Sequence, residues 1–175
     1  IIGCMTAMEM YKKDTGKDVR MLIIVDASRN DLADQQLRSD GMRYELKLAG
    51  EREGYDNFAA YRVAGNEGAG SKVLAREASL ARNADGAFNI NEKGKIEVTV
   101  SVDGITDKSK ISSHALFFAT TRDIQEHIAR ERDGESSLMS KGFIQGLHID
   151  EIQNTLAAND LIKSAGHELF LRLRE

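Results

Sequence analysis

The run Met21-Leu22-Ile23-Ile24-Val25 contains no polar side chain, and it restricts the folds open to this chain. It falls far short of the roughly 20 residues of a membrane span. A short run apolar at every position suits a strand covered on both faces. His114 to Ala119 is apolar on both faces and is expected to be a central strand. Strands of this kind need enough chain to cover them. A chain of 175 residues can bury roughly 70% of the surface its unfolded form exposes, so no disulfide or metal staple is required.

Other segments read with less uniform patterns. Residues 1 to 13 fit either a helix, with Cys4, Met5, Met8 and Tyr11 at helical spacing, or a strand paired across Asp14-Thr15-Gly16-Lys17. Ser28 and Asp31 have capping-box spacing, and the helix they open is expected to stop at Gly41. Met42, Tyr44, Leu46 and Leu48 alternate with Arg43, Glu45 and Lys47, which predicts a half-buried strand. Phe58 to Val63 predicts another strand, followed by a glycine-rich turn and a helix from about Ser71 to Arg82. Phe88 to Asn91 and Lys95 to Val102 predict a hairpin around Glu92-Lys93-Gly94. Thr120 and Asp123 have capping-box spacing, and Ile124 and Ile128 form the inward stripe of the helix they open. Phe143 to Ile149 predicts a strand, Asp150 caps a helix that Gly166 ends, and Leu169, Leu171 and Leu173 share one face of a closing strand. The order is neither strict βαβ alternation nor pure β. It predicts an α+β domain with a mostly antiparallel sheet core and flanking helices.

Charge and cysteine usage exclude several classes. The net charge of -4 and pI near 5.6 argue against broad binding to nucleic acid or anionic membrane. A single cysteine, Cys4, precludes an internal disulfide framework and a thiolate-rich metal site. No signal peptide is expected, because Ile1 and Ile2 lack a basic flank and no small-residue cleavage site follows an apolar core. A chain that starts without Met is expected to be a processed or excised piece. No repeat, low-complexity stretch or proline-rich linker divides it, so one domain over residues 1–175 is expected.

Three local patterns carry chemistry. Tyr61-Arg62 ends a strand and runs into Gly65-Asn66-Glu67-Gly68-Ala69-Gly70-Ser71-Lys72. Such a turn reads either as a surface loop or as a phosphate cradle, in which Gly65, Gly68 and Gly70 let main-chain N–H groups approach and a helix N-terminus adds its dipole. The order Gly-Ser-Lys is wrong for a P-loop, and Rossmann spacing is absent. Phe117-Phe118-Ala119-Thr120-Thr121 is a strand end opening into a helix, where the hydroxyls either cap the helix or line a cleft. Glu168, in Gly166-His167-Glu168-Leu169, is a carboxylate at the mouth of an apolar strand, ordinarily exposed or else catalytic.

In this order the three patterns resemble the mono-ADP-ribosyltransferase family of toxins and effectors, in its Arg-Ser-Glu branch. The resemblance covers about residues 55–175, the candidate catalytic core, and leaves residues 1–54 as an N-terminal extension or subdomain. It implies that NAD is the substrate. Arg62 would pair with a phosphate, Glu168 would hold the ribose 2'-OH and stabilise the oxocarbenium-like ribose, and Thr120 or Thr121 would orient that carboxylate. Tyr61 or Phe117 would stack on the nicotinamide. It also implies a toxin, secreted or delivered into a target-cell cytosol, a protein or nucleic-acid acceptor there, and an immunity partner. Two departures stand out: Ala119 replaces the family's first Ser, and Gly166 replaces the Glu or Gln that many members carry two residues before the catalytic Glu.

Two other readings stay open. A metal-independent ribonuclease would use His114 or His148 as acid or base, with Arg62 and Thr121 at the scissile phosphate. His148 and Asp150 share one face of an extended strand, which makes them a further acid–base candidate. A non-enzymatic binding or assembly module would need only the alternating strands and scattered charge. No His pair has the i, i+4 spacing of a helical zinc site, so no metal is expected.

Overall fold

The two apolar runs lie side by side. A computed structural model gives the fold and describes residues 1–25, 30–51, 57–65, 67 and 70–149. Its elements are α1 (Ile2–Thr15), β1 (Arg20–Val25), α2 (Asn30–Leu37), α3 (Asp40–Glu51), β2 (Phe58–Val63), β3 (Ala75–Leu80), β4 (Val98–Val100), β5 (His114–Thr120), α4 (Thr121–Arg132) and β6 (Gly146–Ile149). The strands form one sheet in the order β4-β3-β2-β5-β1-β6. Every residue of β5 is buried, as expected for a strand apolar on both faces.

The class is α+β with a mixed sheet. The expected antiparallel core is present only at one side, where β2 pairs with β3 and β3 with β4. The strands β2, β5, β1 and β6 run parallel. Parallel neighbours need crossover connections, and the chain supplies them. Helices α2 and α3 link β1 to β2, and α4 links β5 to β6. They cover opposite faces. Ala33, Leu37 and Met42 pack with Cys4, Met5, Met8, Ile23 and Phe118 on one side. Ile124 and Ile128 pack with Leu22, Ile24 and Phe117 on the other.

The ambiguous first segment is a helix, Ile2–Thr15. Gly16 ends α1 in the left-handed region at φ 68, donating its N–H to Lys12 O. The alternating segment from Met42 to Leu48 is not a strand but part of α3. The same residues also have helical spacing, with Met42, Leu46 and Ala49 turned to the core and Tyr44 left 63% exposed. Met, Arg, Glu, Leu and Lys favour helix locally, which decides between the two periods. Gly41 therefore lies inside α3, and Ser39 Oγ accepts from Met42 N at its start.

The helix expected over Ser71–Arg82 is also absent. Ala75–Leu80 is β3, held between β2 and β4 by cross-strand pairs such as Ala60↔Ala78 and Ser79↔Thr99. Pairing on both sides outweighs the high helix propensity of its alanines, a local preference that tertiary context overrides. The hairpin around Glu92-Lys93-Gly94 forms, with Asn91 N bonded to Lys95 O and Glu97 N to Asn89 O. The segments expected from Asp150 onward lie outside the described residues. No helix among the described residues is long and apolar enough to cross a membrane.

Candidate functional site

Strands β2, β5 and β1 end on one edge of the sheet, at Val63, Thr120 and Val25. The connections leaving β1 and β5 cover opposite faces, the arrangement that opens a crevice at the carboxyl ends of parallel strands. Thr120 both closes β5 and caps α4. Its Oγ1 accepts from Asp123 N, while Asp123 Oδ2 accepts from Thr120 N and from the Thr120 hydroxyl, each at 2.8 Å. The expected capping box is present.

That carboxylate has a further partner. Arg62 Nη1 donates to Asp123 Oδ2 at 2.6 Å and to Val63 O at 2.7 Å, and Nε lies 3.5 Å from Asp34 Oδ1. The side chains of Arg62 and Asp123 are only 14% and 10% exposed. Gly65 lies directly against them. A Cβ at Gly65 would sit 2.3 Å from Asp123 Oδ1, so only glycine admits the carboxylate there.

One face of α4 fastens the segment that follows β2. Beyond Asp123, His127 Nδ1 accepts from Leu138 N at 3.1 Å, which places the ring proton on Nε2, donated to Ala64 O at 2.8 Å. Burial holds this imidazole neutral and lowers its pKa to about 4. Arg130 donates to Val73 O and Gly65 O. The segment after Arg62 is thus tied to the side of α4, and it does not open into a helix of its own. The phosphate cradle expected from a following helix N-terminus has no such helix.

A cleft of about 250 Å³ opens beside this clasp, lined by Asp34, Arg38, Arg62, Gly65, Glu67 and Arg76. Arg62 and Arg76 are cross-strand neighbours. Their mutual repulsion is offset by separate acids. Glu67 takes a two-point contact from Arg76, at 3.0 and 2.7 Å, which raises the Arg76 pKa. Arg38 is exposed and has no ion pair among the described residues.

The structure gathers some of the expected site residues and separates others. Arg62, Gly65, Thr120 and Thr121 come together at the carboxyl edge. Tyr61 and Phe117 lie deeper, both fully buried, their rings stacked on each other with centroids 5.2 Å apart. Gly70 is exposed, and Gly68 and Glu168 lie outside the described residues. His114 starts β5, roughly 20 Å from Thr121 at about 3.3 Å per strand residue. It is buried, and its Nδ1 accepts from Val19 N. His148 is exposed on β6, and its expected partner Asp150 lies outside the described residues. Asp34, Arg38 and Arg76 escaped the sequence reading, because each reaches the cleft only through the fold. Asp123 was visible only as a cap.

Among the described residues no group of three or more His, Cys, Asp and Glu side chains is placed to hold a metal ion. The molecule is defined by an α+β fold with a charged cleft at the carboxyl edge of its parallel strands. No family model, curated protein or solved structure matches the chain.

Proposed function

We propose that this domain binds a phosphate-bearing ligand of the nucleotide class in the carboxyl-edge cleft, with NAD the first candidate. The observation that carries the reading is the convergence of Arg38, Arg62 and Arg76 on one small cleft where parallel strands end. Guanidinium groups present forked donors suited to phosphate oxygens. Arg38 is free to turn to a ligand, whereas Arg62 and Arg76 are held in place by Asp123 and Glu67. A nucleotide offers phosphates to the arginines, and its ribose hydroxyls can donate to Asp34 and Glu67.

The transferase reading extends this one through Glu168. In it the ribose–nicotinamide bond breaks, nicotinamide leaves with the bonding electron pair, and an acceptor nucleophile forms the new bond to the ribose carbon. The domain is then a delivered toxin or effector whose acceptor is a protein or nucleic acid. Calorimetric titration with NAD, ADP-ribose and pyrophosphate tests the binding step. Affinity is expected to fall about tenfold in Arg38→Ala, a loss near 1.4 kcal/mol. Absence of binding at millimolar concentration of all three, or binding indifferent to Arg38→Ala, refutes it. Nicotinamide release that Glu168→Gln abolishes supports the transferase extension, and no release from the unaltered chain removes it.

A further inference from the structure

Thr120 and Thr121 are adjacent and both buried, yet their hydroxyls are used differently. Thr120 Oγ1 accepts from Asp123 N and donates to Asp123 Oδ2. Among the described residues Thr121 Oγ1 is buried without a hydrogen-bond partner, in a residue only 3% exposed. A buried hydroxyl with no partner forfeits the hydrogen bonds it had in water, and valine would fill the same space without that cost. A threonine at such a position points to a partner that arrives from outside the chain.

The surroundings indicate what that partner is. Thr121 is the first residue of α4, a helix of 12 residues. Side chains on a helix lean toward its N-terminus, so the hydroxyl lies at the positive end of the dipole. The first-turn amides have no intrahelical acceptors. Thr120 Oγ1 satisfies that of Asp123. The amides of Thr121 and Arg122 have no acceptor among the described residues. The Asp123 carboxylate does not cancel this positive end, because Arg62 neutralises it at 2.6 Å.

We infer that the first turn of α4 is the phosphate subsite of the ligand, with Thr121 Oγ1 and the Thr121 and Arg122 amides donating to one phosphate group. This rests on the reading that a phosphate-bearing ligand binds at this edge, and it fixes which end of the ligand faces α4. Because the hydroxyl is shielded from solvent, the phosphate must part the groups around it on arrival. Association is therefore expected to be much slower than diffusion.

The test compares Thr121→Val, Thr121→Ser and Arg38→Ala by thermal melting and by titration with inorganic phosphate, pyrophosphate and ADP-ribose. Without a probe, Thr121→Val is expected to melt at or above the temperature of the unaltered chain. It is expected to bind pyrophosphate and ADP-ribose at least about tenfold more weakly, while Thr121→Ser keeps most of the affinity. Melting of Thr121→Val more than about 2 °C below the unaltered chain would show that the hydroxyl already has a structural bond, and overturns the inference. Unchanged binding in Thr121→Val alongside weakened binding in Arg38→Ala overturns the subsite and leaves the cleft reading standing. An unaltered chain that binds none of the probes removes both.

Discussion

Replacing Asp123 with alanine tests the carboxyl-edge clasp most directly. Its carboxylate accepts from Thr120 N, from the Thr120 hydroxyl and from Arg62 Nη1. Loss of the capping interaction costs about 1 kcal/mol. Breaking a buried ion pair leaves an uncompensated charge and costs about 3–5 kcal/mol. The half-exposed Asp34, 3.5 Å from Arg62 Nε, keeps part of that compensation, which favours the lower end of the range. The sum is about 4 kcal/mol, a large share of the 5–15 kcal/mol by which domains are typically stable. For a domain of this size it corresponds to a fall in melting temperature of roughly 8–16 °C. Urea denaturation of Asp123→Ala, Arg62→Met, Asp123→Asn and the Arg62→Met/Asp123→Asn double variant measures it. Asn at position 123 keeps an acceptor for the cap, so the cycle isolates the ion pair, with an expected coupling above about 1 kcal/mol. A cost below about 1 kcal/mol in Asp123→Ala, or single costs that simply add, would show that the pair is a surface contact of little weight.

Gly65→Ala is expected to destabilise by about 1–3 kcal/mol through overpacking, because the Asp123 carboxylate it meets at 2.3 Å is pinned by three donors; a melting temperature equal to that of the unaltered chain would contradict this. His127, neutral when folded and with its pKa lowered from 6.5 to about 4, contributes stability that is complete above pH 6.5 and is lost as the pH falls toward 4. NMR titration should find its ring uncharged at pH 5.5, and a midpoint near 6.5 would disprove the burial. Burial alone would raise the Asp18 pKa, but the bonds from Ser113 and Lys12 outweigh it and hold the carboxyl below 3.8. Its stabilisation is present above the ordinary aspartate value and lost as the pH falls through the lowered one. Asp18→Asn should therefore reduce stability near neutrality and flatten the acid limb of a pH–stability curve; an unaltered acid limb would count against the cluster.

How much of this was legible varied with the range of the interactions involved. Phe58 to Val63 matched β2 to the residue, and β5 and the Thr120–Asp123 cap were readable because each depends on neighbours in sequence. The segment from Met42 to Leu48 satisfied two periods at once, and helix-favouring residues together with burial of Met42 in the cluster that holds Met5 and Phe118 decided for the helical one. The β3 strand was hidden because its identity comes from β2 and β4. Parallel pairing was foreshadowed by the uniform apolarity of β5, but the alternating strands of the second half pointed the other way. In the candidate site, Arg62 was singled out as a phosphate ligand. Its closest acid, Asp123, lies 61 positions away, and no local pattern connects the two.

The placement of β5 between β2 and β1 governs the order in which this molecule can assemble. β1 and β2 do not pair with each other; both wait for residues 114–120. A growing polypeptide that has emerged only as far as β4 can zip up its β2–β3–β4 meander, yet Leu22 to Val25 then have no strand beside them. That sticky ribbon stays open to wrong partners until the middle strand is synthesised, so holdase chaperones should favour nascent chains cut just before His114 over those extending past Thr120.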